Sequence, residues 1–195
     1  MNRYLLFMLY CFISISVSAQ IIRKGDLFTK VYLVNDKVVF IKEIPSNKGI
    51  SKEANFKILR DWAKENYGRD PFISSIRYDA KNTEFIAKSK IELLLPQNSQ
   101  GIREKMIMRY RINGFLSGDK CILEITDISY LYENAKRSNI DLPHVIKAEN
   151  FITDKDISIR DNLTEIKNNT RKSTLYFVNE LALKFENIYK SKIER

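Results

Sequence analysis

The sequence predicts a single α+β domain in which a mainly antiparallel β-sheet is covered on one face by two helices. Three observations lead to this fold class. Several segments alternate apolar and polar residues, which is typical of strands with one buried and one wet face. Two other segments repeat apolar residues every three or four positions, as amphipathic helices do. Polar turn signals separate the segments in the order ββ-α-ββββ-α.

Residues 1–19 have the layout of a cleaved secretory signal peptide. Arg3 supplies a positive start, Tyr4–Ile13 is an unbroken apolar run, and small residues follow up to Ala19. The apolar run is about half of the ~20 residues that a membrane-spanning helix needs. We therefore expect cleavage near Ala19, export to the periplasm or the cell exterior, and one domain over residues 20–195.

The chain is basic, with a formal net charge of +9. A basic balance can indicate nucleic acid, an acidic glycan or an anionic membrane surface as the partner. Basic and acidic residues are interspersed, however, and export would separate the protein from intracellular DNA and RNA. The sequence therefore argues against a nucleic-acid partner, and it predicts no transmembrane segment once the signal is removed. Cys121 would be the one cysteine left, so no intramolecular disulfide is expected.

The first elements of the domain are a hairpin and a helix. Val31–Ile44 contains two β-rich runs around the turn-forming pair Asn35–Asp36. Ser51 is a suitable N-cap for a helix that ends near Tyr67. Trp62, the single tryptophan, is expected to anchor this helix in the core. It belongs to an apolar stripe formed by Ala54, Ile58, Leu59, Trp62 and Ala63.

Four strands follow, over Phe72–Asp79, Glu84–Leu95, Lys105–Leu116 and Lys120–Tyr132. In the third strand, apolar residues alternate with Arg109 and Arg111. The apolar set is expected to face the helices, and it comprises Met106, Met108, Tyr110 and Ile112. The two arginines are then expected on the open face, paired across strands with acids such as Glu92 or Glu124.

The fourth of these strands changes phase along its length. Cys121, Leu123 and Ile125 share one parity, and Ile128, Tyr130 and Tyr132 share the other. Because side chains in a strand alternate with a period of two, both sets reach the core only if one extra residue is inserted. The sequence therefore predicts a β-bulge near Thr126–Asp127.

The C-terminal part is predicted to be irregular and then helical. Residues 133–156 are polar and contain Pro143. A helix is predicted from about residue 158 to residue 192, with an apolar stripe that is interrupted at Ser173–Thr174. A break in the helix at this interruption is an open alternative.

Short signatures along the chain resemble a known family. They are DKVVFIKEI in the hairpin, ILRDWAKENY in the first helix and CILEITDISYLYE in the last strand. Together with a signal that ends in SAQ, their order is similar to that of the secreted domain-of-unknown-function family DUF 4468, described as having a TATA-binding-protein-like (TBP-like) fold. The resemblance covers about residues 31–133. It implies a curved antiparallel sheet with helices on one face, and it implies no established activity, ligand or catalytic residue.

Motifs for catalysis, cofactor binding and metal binding are absent from the sequence. It contains no G-x-S-x-G, H-E-x-x-H, G-x-G-x-x-G or phosphate-loop pattern, and no cluster of Cys and His residues for zinc. Cys121 with the single histidine, His144, is a conceivable nucleophile–base pair, and Glu124 with Asp127 a conceivable carboxylate pair. An apolar strand around Cys121 and the shape of a bulge around Asp127 favour structural roles instead.

Asp154 and Asp156 could contact calcium weakly, but acids before a helix are ordinary, because they interact favourably with the helix dipole. We therefore predict no catalytic, cofactor-binding or metal-binding residue in this chain, and no cofactor.

The function that the sequence favours is a non-catalytic binding or interaction module outside the cytoplasm. Its partner would be an extracytoplasmic protein, a glycan or a small ligand, held on the exposed sheet face or in a groove beside the C-terminal helix. Three alternatives remain open. They are a periplasmic enzyme of unrecognised mechanism, nucleic-acid or anionic-surface binding through a basic sheet face, and attachment to a membrane surface.

Overall fold

The structure is a computed structural model that describes residues 21–23, 25–132 and 145–188, and a seven-stranded sheet forms its centre. The strands are β1 (Ile21–Ile22), β2 (Leu33–Val34), β3 (Lys37–Val38), β4 (Phe40–Pro45), β5 (Ser74–Asp79), β6 (Glu84–Gln97), β7 (Arg103–Ser117), β8 (Lys120–Leu131) and β9 (Ile146–Lys147). The α-helices are α1 (Lys52–Tyr67), α2 (Asp154–Ser158) and α3 (Thr164–Glu186), and a 3₁₀ turn spans Ala148–Asn150. The proposed signal, residues 1–19, lies outside the described residues and remains a prediction.

The main sheet has the order β1-β4-β8-β7-β6-β5, and β9 pairs with the far end of β8 beyond β4. All of its pairings are antiparallel except the short parallel contact between β1 and β4. The predicted α+β class with a mainly antiparallel sheet is therefore confirmed. The described residues contain three α-helices where the sequence predicted two, because a short separate helix precedes the long one.

Both long helices pack on the same face of the sheet. Trp62 on α1 joins them, since its ring centroid lies 6.1 Å from that of Phe85 on β6 and 5.5 Å from that of Phe185 on α3. Ser51 caps α1 as predicted, and its side chain accepts a hydrogen bond from the backbone N–H of Ala54. The prediction that Trp62 anchors the helix in the core is confirmed.

The predicted hairpin over Val31–Ile44 is wrong in its second half. Its turn does form, with φ angles of 49° at Asn35 and 59° at Asp36, but it closes a separate two-stranded sheet of β2 and β3. The chain then enters the main sheet as β4, which pairs with β8. The β-rich run that looked like one strand is thus divided between two sheets.

Residues 145–156, the described part of the segment after β8, are more regular and more buried than the sequence predicts. Residues 133–144, which include His144 and Pro143, lie outside the described residues. Beyond them, β9 and the 3₁₀ turn bring Phe151 and Ile152 into the core, where each is at most 2% exposed. The prediction of an irregular stretch up to residue 156 is therefore wrong from Ile146 onward.

The long C-terminal helix spans Thr164–Glu186 rather than about residues 158–192, and it continues without a break through Ser173–Thr174. Thr174 is fully buried, and its hydroxyl lies 2.8 Å from the Tyr130 hydroxyl and 2.8 Å from the carbonyl oxygen of Thr170. The interruption in the apolar stripe is therefore a buried polar contact with the sheet. No helix in the described ranges is both long enough and apolar enough to span a bilayer.

A buried ion pair, which the sequence did not reveal, connects the sheet with the end of α3. Lys42 alternates with Phe40 and Ile44 on the core face of β4 and is 1% exposed. Its Nζ lies 3.3 Å from Oε2 of Glu186 and donates to the carbonyl oxygens of Arg23 (2.7 Å) and Asp26 (3.3 Å). A buried charge is tolerated when it is paired and hydrogen-bonded in this way.

We predict that Lys42→Met lowers the free energy of unfolding by about 3–5 kcal/mol, because it leaves the Glu186 carboxylate buried without its cation. The double variant Lys42→Met/Glu186→Gln removes that charge and should regain much of the loss. Urea denaturation of both variants and the wild type measures this. Equal stability of Lys42→Met and the wild type would contradict the assignment.

Candidate functional site

The sheet has a second face, opposite the helices, which we call the open face. On β7, Met106, Met108, Tyr110 and Ile112 point to the helices and are each at most 5% exposed, as predicted. The residues between them point the other way, and Arg109 is exposed while Arg111 is half-buried. The predicted assignment of the two arginines to the open face is confirmed.

Four cations stand together on the part of the open face that β6 and β7 form. In the register of β6 and β7, Lys88 is directly opposite Arg111, and Lys90 is directly opposite Arg109. We call these four residues the basic quartet. Like charges directly opposite each other destabilise a pair of strands, so the fold itself gains nothing from this arrangement.

A β-bulge beside the quartet supplies its acidic neighbour. Arg109 pairs with Ser129 and Arg111 pairs with Thr126, so Asp127 and the residue after it both stand opposite Tyr110. Asp127 has a φ of 50°, which is typical of the extra residue in a bulge. The predicted bulge is therefore confirmed, and it turns the Asp127 carboxylate toward the open face.

Asp127 binds two cations at once. Its Oδ1 lies 2.7 Å from Lys37 Nζ and its Oδ2 lies 2.8 Å from Arg111 Nη1. The hydrogen bond from Lys37 is the largest effect and lowers the pKa of this carboxyl. Burial opposes it, and the positive charge of Arg111 lowers the pKa further. Asp127 therefore stays ionised and compensates part of the local positive charge.

The cross-strand partners that the sequence predicted for the arginines are wrong. Glu92 pairs with Lys105, with 2.8 Å between Oε1 and Nζ, and Glu124 accepts a hydrogen bond of 2.8 Å from the Asn113 side chain. The bulge explains the difference, because it inserts a carboxylate that strict alternation would have placed elsewhere. Among the described residues, no carboxylate lies within 4.0 Å of the side-chain nitrogens of Lys88, Lys90 or Arg109.

A cavity of about 410 Å³ opens over the quartet. One wall is the turn before β5, where Phe72 is 87% exposed and Ile73 is 47% exposed. The prediction that a strand begins at Phe72 is wrong, since β5 begins at Ser74. The site thus combines four cations, one carboxylate and an exposed apolar wall, which suits the binding of an anion.

The other candidate residues do not join this cavity. Cys121 is buried on β8, and its conceivable partner His144 lies outside the described residues. Asp154 forms an ion pair with Arg171, and Asp156 bonds to the N-cap Thr153 at the start of α2. In the part of the chain that the structure describes, no three Cys, His, Asp or Glu side chains are grouped closely enough to hold a metal ion.

We predict that Asp127→Ala is less stable than Asp127→Asn by about 1 kcal/mol. Both changes remove the carboxylate, but asparagine adopts a positive φ more readily than alanine does. Urea denaturation of the two variants side by side measures the difference. Equal stabilities would show that the backbone at the bulge imposes no preference.

The contribution of Asp127 to stability should depend on pH. Because its folded pKa is lowered, its ion pairs stabilise the fold fully above the ordinary carboxyl value of about 3.9 and lose this effect as the pH falls through the folded pKa. The stability difference between wild type and Asp127→Asn should therefore shrink in acid. Urea titrations of both proteins from neutral pH to about pH 2 test this, and a difference that is constant with pH would contradict it.

Comparison with known proteins supplies the family and the fold. Residues 40–131 match the family described as a domain of unknown function (DUF4468) with TBP-like fold. The fold is similar to that of a TBP-like protein from Parabacteroides distasonis, at 24% identity and a TM-score of 0.65, over 82% of this chain and 95% of that one. It is also similar to a DUF4468 family protein from Bacteroides ovatus, at 20% identity and a TM-score of 0.65, over 83% of this chain and 91% of that one. A search of curated proteins finds no match.

At these identities, the similarity to the two crystal structures concerns the fold alone. The matched segment begins with β4 and ends with β8, so it contains the whole basic quartet and leaves out the β2–β3 hairpin, which the sequence resemblance included. The resemblance in family and fold is otherwise confirmed: residues 40–131 match the DUF4468 family, and the chain has a TBP-like fold.

Proposed function

We propose that this protein is an exported, non-catalytic binding module whose open sheet face holds an anionic ligand on the basic quartet. The observation that carries the proposal is the pair of directly opposed cations on β6 and β7, Lys88 with Arg111 and Lys90 with Arg109. Export is proposed on the signal-like pattern of residues 1–19.

Two other exposed cations of the same sheet, on β7 and β8, differ from the quartet in their surroundings. Lys105 is paired with Glu92 at 2.8 Å, and Lys120 is paired with Glu43 at 2.7 Å. These exposed cations thus have acidic partners on a neighbouring strand. An anion placed between Lys90 and Arg109 would offset the repulsion that the fold leaves uncompensated there.

The geometry also limits the kind of anion. Arginine presents a planar fork that binds carboxylate, sulfate or phosphate oxygens in pairs, and Arg109 has no acidic partner among the described residues. Phe72 and Ile73 add an apolar wall that a sugar ring or a hydrocarbon group could contact. We therefore expect a ligand with at least two negative charges and a nonpolar surface, and an acidic oligosaccharide is the first class to test.

We predict that Lys90→Ala/Arg109→Ala weakens the binding of a sulfated hexasaccharide at least tenfold, because two charge-assisted contacts of about 1 kcal/mol each are lost. Isothermal titration calorimetry at low and at physiological salt measures this. Asp127→Asn should bind several-fold more tightly than the wild type, since it removes the carboxylate that competes for Arg111.

The matched control is Lys52→Ala/Lys64→Ala, which removes the same charge from exposed positions on α1. If this control loses as much affinity as the quartet variant, binding reflects overall charge and the proposed site is wrong. A wild type that does not bind the hexasaccharide but binds single-stranded DNA of equal charge would favour the nucleic-acid alternative instead.

A further inference from the structure

The strand β6 has an edge that is only partly covered. Its neighbour β5 pairs with it from Glu84 to Ser89, whereas β6 itself continues to Gln97. Beyond Ser89, β6 makes one further backbone–backbone hydrogen bond on the side facing away from β7. In it, the N–H of Lys90 donates to the carbonyl oxygen of Ile73 at 3.1 Å. About half of a long strand thus lies at the edge of the sheet without a partner strand among the described residues.

The direction of the remaining peptide groups follows from the alternation of the strand. Since the N–H of Lys90 points away from β7, the peptide groups of Glu92 and Leu94 point to the same side. The carbonyl of Leu94 accepts a hydrogen bond of 3.0 Å from the Ser173 hydroxyl on α3, which agrees with this direction. The N–H groups of Glu92 and Leu94 and the carbonyls of Lys90 and Glu92 have no hydrogen-bond partner within the described part of the chain.

A groove of about 580 Å³ runs between this edge and the outer side of α3. Leu94, which is 47% exposed, lies on one wall, and Tyr176, which is 71% exposed, lies on the other beside Phe177. Lys172 and Glu180 flank the aromatic residues, so the wall formed by α3 carries both signs of charge. The groove is therefore apolar in the middle and nearly neutral at its rim.

We propose that this groove binds an extended peptide segment of a partner protein, which adds to β6 as a new edge strand over residues 90–94. The unpaired groups are alternating backbone donors and acceptors, and an extended backbone supplies their complements at the same spacing. Five residues in a strand extend over about 17 Å. Alternate apolar side chains of the peptide would enter the groove and pack on Tyr176 and Phe177.

This site is independent of the anion site. The quartet uses side chains that project from the open face, whereas the groove uses the backbone of β6 at the sheet edge and the outer side of α3. The groove does not require an acidic partner, so its occupant is defined by an extended, alternating apolar pattern without proline at the positions whose N–H groups bond to β6.

The test selects peptides on the wild-type protein and then titrates them against two matched variants. Glu92→Pro removes an N–H that lies outside the β6–β7 ladder and places a ring in the edge, whereas Glu92→Gln keeps the N–H. Both variants lose the ion pair with Lys105, so they differ in the backbone group and not in charge. A random dodecapeptide phage library is selected on the immobilised wild-type protein, and the enriched peptides are synthesised and titrated against both variants. We expect peptides with alternating apolar residues that bind Glu92→Gln like the wild type and Glu92→Pro at least tenfold more weakly.

A second measurement covers the case in which Glu92→Pro perturbs the fold. In the wild type, hydrogen exchange at the amides of Glu92 and Leu94 should slow at least tenfold when an enriched peptide is added, while exposed amides elsewhere remain unchanged. The proposal fails if no peptide is enriched, if the enriched peptides bind Glu92→Pro as tightly as Glu92→Gln, or if these two amides are not protected. It also fails if the protein without peptide forms a dimer that Glu92→Pro abolishes, because the occupant of the edge is then a second copy of the chain.

Discussion

The extra residue in β8 is the constraint on which both faces of the sheet depend. Side chains in a strand alternate strictly, yet β8 must bury Cys121 at its start and Tyr130 near its end, which differ in parity. Asp127 resolves the conflict by adopting a φ of 50°. The same change lets Tyr130 reach Thr174 on α3, at 2.8 Å between hydroxyls, and turns a carboxylate toward Arg111. Core packing and the charge of the open face therefore arise from one local distortion.

Whether a cation needs an acidic partner depends on how deeply it is buried. Lys42 lies in the core, where an unpaired charge would be very costly, and it is held by Glu186 and two carbonyl oxygens. Lys90 and Arg109 lie in water, where the repulsion between them is screened and can be tolerated. The stability of the fold therefore explains the contacts of Lys42, but it does not explain why Lys90 and Arg109 lie opposite each other. This difference is why the proposed ligand site is placed at the exposed cations and not at the buried one.

The strand β6 contributes to two surfaces, to one through its side chains and to the other through its backbone. Its side chains at Lys88 and Lys90 belong to the open face, and its peptide groups beyond Ser89 belong to the sheet edge. At the opposite side of the sheet, β4 and β9 together cover the outer edge of β8 almost along its whole length. Sheet edges with free peptide groups tend to pair with other strands. The edge of β6 beside α3 is therefore a natural place for such pairing, because an apolar groove adjoins it.

The sequence by itself determined the elements whose signals are local. Period-two alternation located β6, β7 and the bulge at Thr126–Asp127, helical spacing with Ser51 located α1, and short signatures indicated the family. The tertiary structure decided what depends on contacts between distant residues. The Lys42–Glu186 pair joins positions 144 apart, and the quartet exists because the β6–β7 register places Lys90 opposite Arg109. The periodicity of a sequence predicts which face of the sheet a side chain lies on. It does not predict which residue of the neighbouring strand lies opposite, because the register is fixed by the packing of the whole sheet.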